Sequence, residues 1–178
     1  MDSIIRPAKE GDAAKLVEFF KEVYRSDHIM VDRNYLAWQY RDVFGNQFYP
    51  GYSSLLLFDK EEIVGHLGLI PYSFNADKRK MKGAYLASGI LRKDLYGTGA
   101  GALLVKEAEK YFDLLYTTGY NERIAPIYKL YNWSEEFFLK RWIYNNGSAE
   151  VKNNSQVRQI QSFGDEWDAV WEKLKDDC

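Results

Sequence analysis

The chain has 178 residues, enough for one domain that buries roughly 70% of its unfolded surface. Hydrophobic residues make up 46%, charged residues 28%, and the formal net charge is −2. That balance fits an ordinary globular protein and speaks against nucleic acid or a membrane as partner. The longest basic cluster, Lys78-Arg79-Lys80 with Lys82, sits beside an expected turn and reads as a solvated face.

The wholly apolar runs are only a few residues long, too short to span a bilayer. The opening MDSIIRPAKEGD has neither the basic nor the apolar region of a signal peptide. Cys178 is the single cysteine and cannot form an internal disulfide, so a cytoplasmic location is the expectation. Aromatic residues reach 16%, with 14 Tyr, 10 Phe and 5 Trp, a richness that suits packed faces and ligand-lined clefts.

Residues 3–7 read as a short strand ended by proline. Asp12 can cap a helix whose apolar stripe is Leu16, Val17, Phe20, Val23 and Tyr24. A polar link over 25–33 precedes a second, aromatic-rich helical stretch over 35–44. Residues 53–58 and 63–72 then read as a β-hairpin joined by the turn 59–62. A polar turn leads to a further strand over 82–91. After a glycine-rich loop comes a helix with Leu103, Leu104, Ala108, Tyr111 and Phe112 on one side. A short strand over 114–118 and a helix over 123–131, with Pro126 tolerated in its first turn, follow.

A last antiparallel pair is expected over 136–144 and 156–163. The tail 165–178 carries Trp167, Val170, Trp171 and Leu174 on one helical face. The expected class is therefore α/β (α+β): a mixed, mostly antiparallel central sheet of about seven strands flanked by helices. One domain is expected over 1–163, with 164–178 an amphipathic helix or a linker toward further sequence.

The stretch LYGTGAGALLVKEAEK (95–110) places Gly97, Gly99 and Gly101 ahead of a helix. Glycines permit positive φ and close approach to the backbone, and a helix N-terminus offers free N–H groups and a positive dipole end. Together these make a site for phosphate or pyrophosphate; the plainer alternative is a turn that lets the helix pack on the sheet. A Walker A loop would need Gly-Lys-Ser/Thr where Gly101-Ala102-Leu103 stand. A dinucleotide fold would need an acid near Thr117-Thr118 and further βαβ units, neither of which is present.

These residues resemble the GNAT superfamily of acyl-CoA-dependent N-acyltransferases. The family's Arg/Gln-x-x-Gly-x-Gly/Ala motif is similar to Tyr96-Gly97-Thr98-Gly99-Ala100-Gly101, with Tyr96 in place of Arg or Gln. The segment NERIAPIYKLYNW, from Asn121 to Trp133, is similar to a second family motif after the fifth strand. The resemblance implies that Tyr96 to Ala102 cradle the pyrophosphate of acetyl-CoA as co-substrate, with no metal. It implies that Asn121 touches the pantetheine arm, and that a backbone N–H near Ile90 or Leu91 holds the thioester carbonyl. Tyr128 would then be the general acid for the departing thiolate; without the motif it would read as a core tyrosine.

The base is open. The fourth strand carries no carboxylate in Tyr85-Leu86-Ala87-Ser88-Gly89. His66, in GHLGLIP, is the best titratable candidate; the alternative is a strand histidine bonded to backbone. Water relayed by backbone carbonyls or Ser88 is a third route. The resemblance implies a small-molecule primary amine as acceptor, bound near 25–40 and 142–146; the stretches YLAWQYRD and VGHLGLIPYSF resemble a bacterial subgroup associated with polysaccharide and amino-sugar genes, which favours an amino sugar or its nucleotide. The runner-up is a non-catalytic CoA-binding or scaffold module, and a longer acyl-CoA donor or a charged tRNA is a third reading. A monomer and a homodimer both remain open.

Overall fold

The apolar runs at the centre of the chain become a sheet buried on both faces, and the amphipathic stretches on either side become its covering helices. The structure is a computed structural model, and the residues described are 3–76, 79–118 and 124–134. The chain divides into two units, Met1–Glu136 and Phe137–Cys178, and every described residue belongs to the first. The strand pair expected over 136–144 and 156–163, and the helical tail, lie outside the described residues.

In chain order the elements are β1 (Ser3–Ala8), α1 (Ala13–Val23), α2 (Arg33–Leu36), β2 (Tyr52–Asp59), β3 (Glu62–Ala76), β4 (Arg79–Leu91), α3 (Ala100–Ala108), β5 (Leu114–Tyr116) and α4 (Ala125–Leu130). The sheet order is β1-β2-β3-β4-β5, antiparallel except for the parallel β4–β5 pair. A parallel pair needs a crossover connection, and α3 supplies it. The expected architecture, a mostly antiparallel mixed sheet with flanking helices, is what forms, with five strands among the described residues.

β2 shows why the sheet needs cover on both sides. Leu55 and Leu57 join Leu104, Val105 and Ala108 of α3 in one core, while Leu56 and Phe58 join Leu16, Val17 and Phe20 of α1 in the other. Each such side chain contributes about 1.5–3 kcal/mol by leaving water. The hairpin turn between β2 and β3 is tight, with Lys60 at φ +56°. At the entry to β5, Asp113 is clipped to the start of β4: its N–H donates to the Lys82 carbonyl, and its carboxylate accepts the Lys82 N–H, both at 2.8 Å.

Three local expectations are corrected. Asp12 stands at the head of α1 but makes no side-chain cap to it. Its carboxylate instead takes both Arg6 guanidinium nitrogens at 2.6 and 2.9 Å, and the Lys9 N–H at 2.7 Å. Asp32 does cap α2, accepting the Asn34 and Tyr35 N–H groups. That helix continues as a π-helical turn, Ala37–Arg41, which turns Tyr40 fully inward and leaves Trp38 68% exposed. Leu103, expected in the core stripe of α3, is 56% exposed because the helix presents Leu104 and Val105 to the sheet instead.

Candidate functional site

The antiparallel ladder between β3 and β4 slips once, next to the glycine-rich end of the sheet. His66 pairs with Ile90 but Gly68 pairs with Ala87, so Leu67 alone faces both Ser88 and Gly89. This is a β-bulge with one extra residue on β4, a device that bends a strand and re-aims the residues beyond the bulge. Ser88 takes φ +49°, a left-handed conformation that costs a non-glycine residue roughly 1–2 kcal/mol. The backbone is held there against its own preference.

Just before the bulge, the pairing of β4 with β5 ends among the described residues. The parallel ladder covers only Gly83↔Leu114, Ala84↔Leu115 and Tyr85↔Tyr116. At the next step the Leu86 carbonyl is met by the Thr117 hydroxyl, and the Tyr85 hydroxyl by that of Thr118. A side-chain hydroxyl thus meets the backbone at Leu86, one residue past the last described ladder pair.

β4 leads through Arg92 into the glycine loop. The Thr98 hydroxyl donates to the Leu95 carbonyl at 2.7 Å and fixes the turn. Gly97 and Gly99 then take φ +77° and +87°, and a Cβ built on either would meet nothing within 4 Å. Open space above two left-handed glycines is what an anion cradle needs, so the loop fits a pyrophosphate. The first N–H groups of α3 face the same end, since intrahelical bonding begins only with Leu103 N–H to the Gly99 carbonyl at 3.2 Å. Gly101 differs from the other two: it lies inside α3 with ordinary helical backbone, and a Cβ there would touch Ile127 and Leu91 at 3.5 and 3.6 Å. Ala100 and Ala102 are buried, whereas Tyr96 is 53% exposed.

α4 is fastened beside this loop. The Tyr131 hydroxyl donates to the Ala102 carbonyl at 3.0 Å, and Ile127 lies over Gly101. Tyr128, on the same short helix, is half-buried with its ring 4.8 Å from that of Trp133. Asn132 closes the helix in a left-handed conformation, and the Trp133 N–H returns to the Tyr128 carbonyl at 3.0 Å. Tyr128 and the loop are therefore neighbours through α3. Asn121 lies outside the described residues.

His66 is fully buried on the opposite face of the sheet from α3, its ring against Phe20 at 4.9 Å and Tyr40 at 5.4 Å. Its Nδ1 lies 3.0 Å from the Ser88 carbonyl, and its Nε2 makes no hydrogen bond. Burial pulls its pKa from 6.5 down to about 4, with the Ser88 bond opposing only in part. Such a group has little affinity for an amine proton at neutral pH. The geometry agrees with the reading of a strand histidine bonded to backbone.

Two members of this neighbourhood escape sequence reasoning. Tyr40 lies over Gly68 so closely that a Cβ there would fall 2.5 Å from the ring, and burial pushes its hydroxyl well above the usual tyrosine range. That hydroxyl faces Ser88 without a hydrogen bond of good geometry. Ser88 itself gives no sign in the sequence of a left-handed backbone. The one available signal was Gly68, whose missing side chain makes room for Tyr40.

Among the described residues, no group of three or more His, Cys, Asp or Glu could hold a metal ion, and no helix is long and apolar enough to cross a membrane. A separate open hollow bounded by Arg6, Lys9, Phe48 and Pro50 lies at β1, the far edge of the sheet from β5.

No protein-family model matches this chain, and no curated protein does. Solved structures do. An acetyltransferase from Trypanosoma brucei superposes with a TM-score of 0.59 at 14% identity, covering 80% of this chain and 100% of that one. An aminoglycoside acetyltransferase, meta-AAC0020 from an uncultured soil metagenomic sample, was solved with sisomicin; it gives 0.56 at 15% identity, covering 80% and 95%. AAC(6')-Iy, in complex with the bisubstrate analog CoA-S-monomethyl-acetylneamine, gives 0.56 at 11% identity, covering 82% and 99%. At these identities the likeness is one of architecture: the chain shares the mixed, mostly antiparallel α/β fold of these solved acetyltransferases.

Proposed function

We propose that the chain is an N-acetyltransferase that moves an acetyl group from acetyl-CoA to a primary amine of a small molecule, with an amino sugar or its nucleotide as the favoured acceptor. The observation that carries this reading is one juxtaposition. A left-handed glycine pair at the head of α3 follows directly on the bulged end of β4, beyond its last described pair with β5.

Acetyl-CoA supplies an activated thioester; the protein has to bind it, polarise its carbonyl and protonate its leaving sulfur. Within the loop Tyr96 to Ala102, the backbone amides other than those of Tyr96 and Thr98, which donate to the Lys93 and Leu95 carbonyls, hold the pyrophosphate with the dipole of α3. Because these are main-chain groups, the exposed Tyr96 need not supply the charge that Arg or Gln would bring. A backbone N–H near Ile90 or Leu91 polarises the carbonyl, and Tyr128 gives its proton to the thiolate. Water relayed by the β4 carbonyls or by the Ser88 hydroxyl takes the amine proton, since His66 is buried with its pKa near 4.

For the acceptor, 142–146 lies outside the described residues, while 25–40 with the adjoining Tyr24 offers aromatic side chains of the kind that stack on sugar rings. Tyr24 and His28 lie parallel at 4.1 Å, and Tyr35 abuts the exposed Trp38 at 5.6 Å. Two of the structural relatives are described as aminoglycoside acetyltransferases, which is consistent with an amino-sugar acceptor.

A second reading keeps one specific observation in its favour. β4 has no carboxylate from Tyr85 to Gly89, and His66 is sequestered, so a domain that binds CoA without turning it over would look the same. Release of free thiol from acetyl-CoA, followed with a panel of amino sugars, amino-sugar nucleotides and polyamines, separates the two. Amine-dependent release with the sugars supports the transferase. CoA binding with no release from any amine supports the binding module.

A further inference from the structure

His66 takes no part in the proton transfers just described, yet its contacts are specific. A carbonyl oxygen can only accept, so the 3.0 Å contact with Ser88 requires the proton on Nδ1. The imidazole is therefore the neutral Nδ1–H tautomer, with a bare and unpartnered Nε2. It is clamped edge-on by two rings, Phe20 at 75° and Tyr40 at 68°. Tyr40 is in turn seated over Gly68, on the same strand two residues away.

The receiving end is equally specific. Ser88 is the left-handed residue of the bulge, three residues past the last described pair of β4 with β5. A strained residue persists only where its surroundings over-determine it. From the neighbouring strand, the His66 side chain grips the Ser88 carbonyl directly.

We propose that His66 is a positioning residue: its Nδ1–H, held in place by Phe20 and Tyr40, fixes the Ser88 bulge and thereby the backbone N–H that polarises the acetyl carbonyl near Ile90. This rests on the acetyl-CoA reading above. The histidine acts through the backbone and never touches the substrate.

The test compares His66→Leu, which keeps bulk but removes the donor, with His66→Asn, whose amide nitrogen falls near the position of Nδ1. Binding of CoA and of carbonyl-labelled acetyl-CoA is measured by calorimetry, and the thioester carbonyl stretch of bound acetyl-CoA is read by infrared difference spectroscopy. The expected result is a wild-type carbonyl band displaced to lower frequency from that of free acetyl-CoA. His66→Leu returns it toward the free value and loses about tenfold in preference for acetyl-CoA over CoA, the weight of one hydrogen bond. CoA affinity itself stays nearly constant, and His66→Asn restores both signals. A His66→Leu protein with the wild-type band and preference overturns the proposal, as does a wild type whose bound carbonyl is undisplaced although CoA binds. If wild type binds neither ligand, the acetyl-CoA reading falls and this inference with it. Should His66→Leu not fold, Ser88→Gly is added, because glycine takes φ +49° without strain. Recovery of a folded protein then supports the lock on Ser88, and no recovery overturns it.

Discussion

A histidine buried without charge makes folding sensitive to acid, and the size of the effect comes from its surroundings. His66 has no exposed surface, and its pKa falls from 6.5 to about 4. In the unfolded chain the same ring takes up a proton near its ordinary value. Between those two values the unfolded state binds more protons than the folded one, so stability falls as pH falls. At about 1.4 kcal/mol per pH unit, the full window is worth about 3 kcal/mol. The perturbation is His66→Asn, which keeps a donor toward Ser88 and removes the titration. Urea denaturation is run on both proteins between about pH 7 and about pH 4, and the stability differences are subtracted. Wild type should lose about 3 kcal/mol more than the variant over that range, with the loss confined to the region below about pH 6.5. Parallel stability profiles for the two proteins would refute the burial-driven shift.

Further predictions rest on other contacts. Gly68→Ala drives a methyl to within 2.5–2.7 Å of the buried Tyr40 ring, an overpacking worth about 1–3 kcal/mol, so the melting temperature should drop by about 2–12 °C; an unchanged value would deny the close approach. Asp12→Asn removes the paired bonds to Arg6 and should cost about 1–3 kcal/mol at neutral pH by chemical denaturation. Burial pushes the Asp12 carboxyl up, but the Arg6 guanidinium and the Lys9 N–H outweigh it and hold it below 3.8. The wild-type advantage is therefore complete above about pH 4 and disappears as pH falls through the lowered value. Tyr128→Phe should cut turnover about 100-fold with acetyl-CoA affinity nearly unchanged, as expected for loss of a general acid; unaltered turnover would remove Tyr128 from the chemistry.

Much of this fold was legible because its signals are local. Short apolar runs joined by a tight turn marked the hairpin of β2 and β3, and the stripe Leu16, Val17, Phe20 marked α1. Gly97 and Gly99 marked the loop, since only glycine takes those φ values without strain. The features that stayed hidden depend on residues far apart in the chain. β3 carries an extra residue of its own, Val64, between the pairs Phe58↔Ile63 and Leu57↔Gly65, so faces cannot be counted through it and nothing in GHLGLIP showed that His66 would be enclosed by Phe20 and Tyr40. The π-helical turn that carries Tyr40 inward depends on its fit over Gly68, 28 positions later. Asp12 looked like a cap because its sequence neighbours are right for one, but Arg6 on β1 competes for the same carboxylate and takes it. Leu103 failed for a simpler reason: adjacent leucines on a helix cannot both face the sheet, and the sequence alone did not say which would.

Whether the glycine loop and the bulged end of β4 serve acetyl-CoA is tested most directly by a thermal-shift titration. The full chain is melted with increasing acetyl-CoA, and with NAD as a phosphate-bearing control. At a concentration of ~100 times the dissociation constant, linkage gives about 2.7 kcal/mol of stabilisation. For a chain of this size that is a rise in melting temperature of about 5–11 °C. A rise of that order with acetyl-CoA and none with NAD is the predicted result. No shift with acetyl-CoA at saturating concentrations would contradict that role and leave Gly97 and Gly99 as the turn that docks α3 on the sheet.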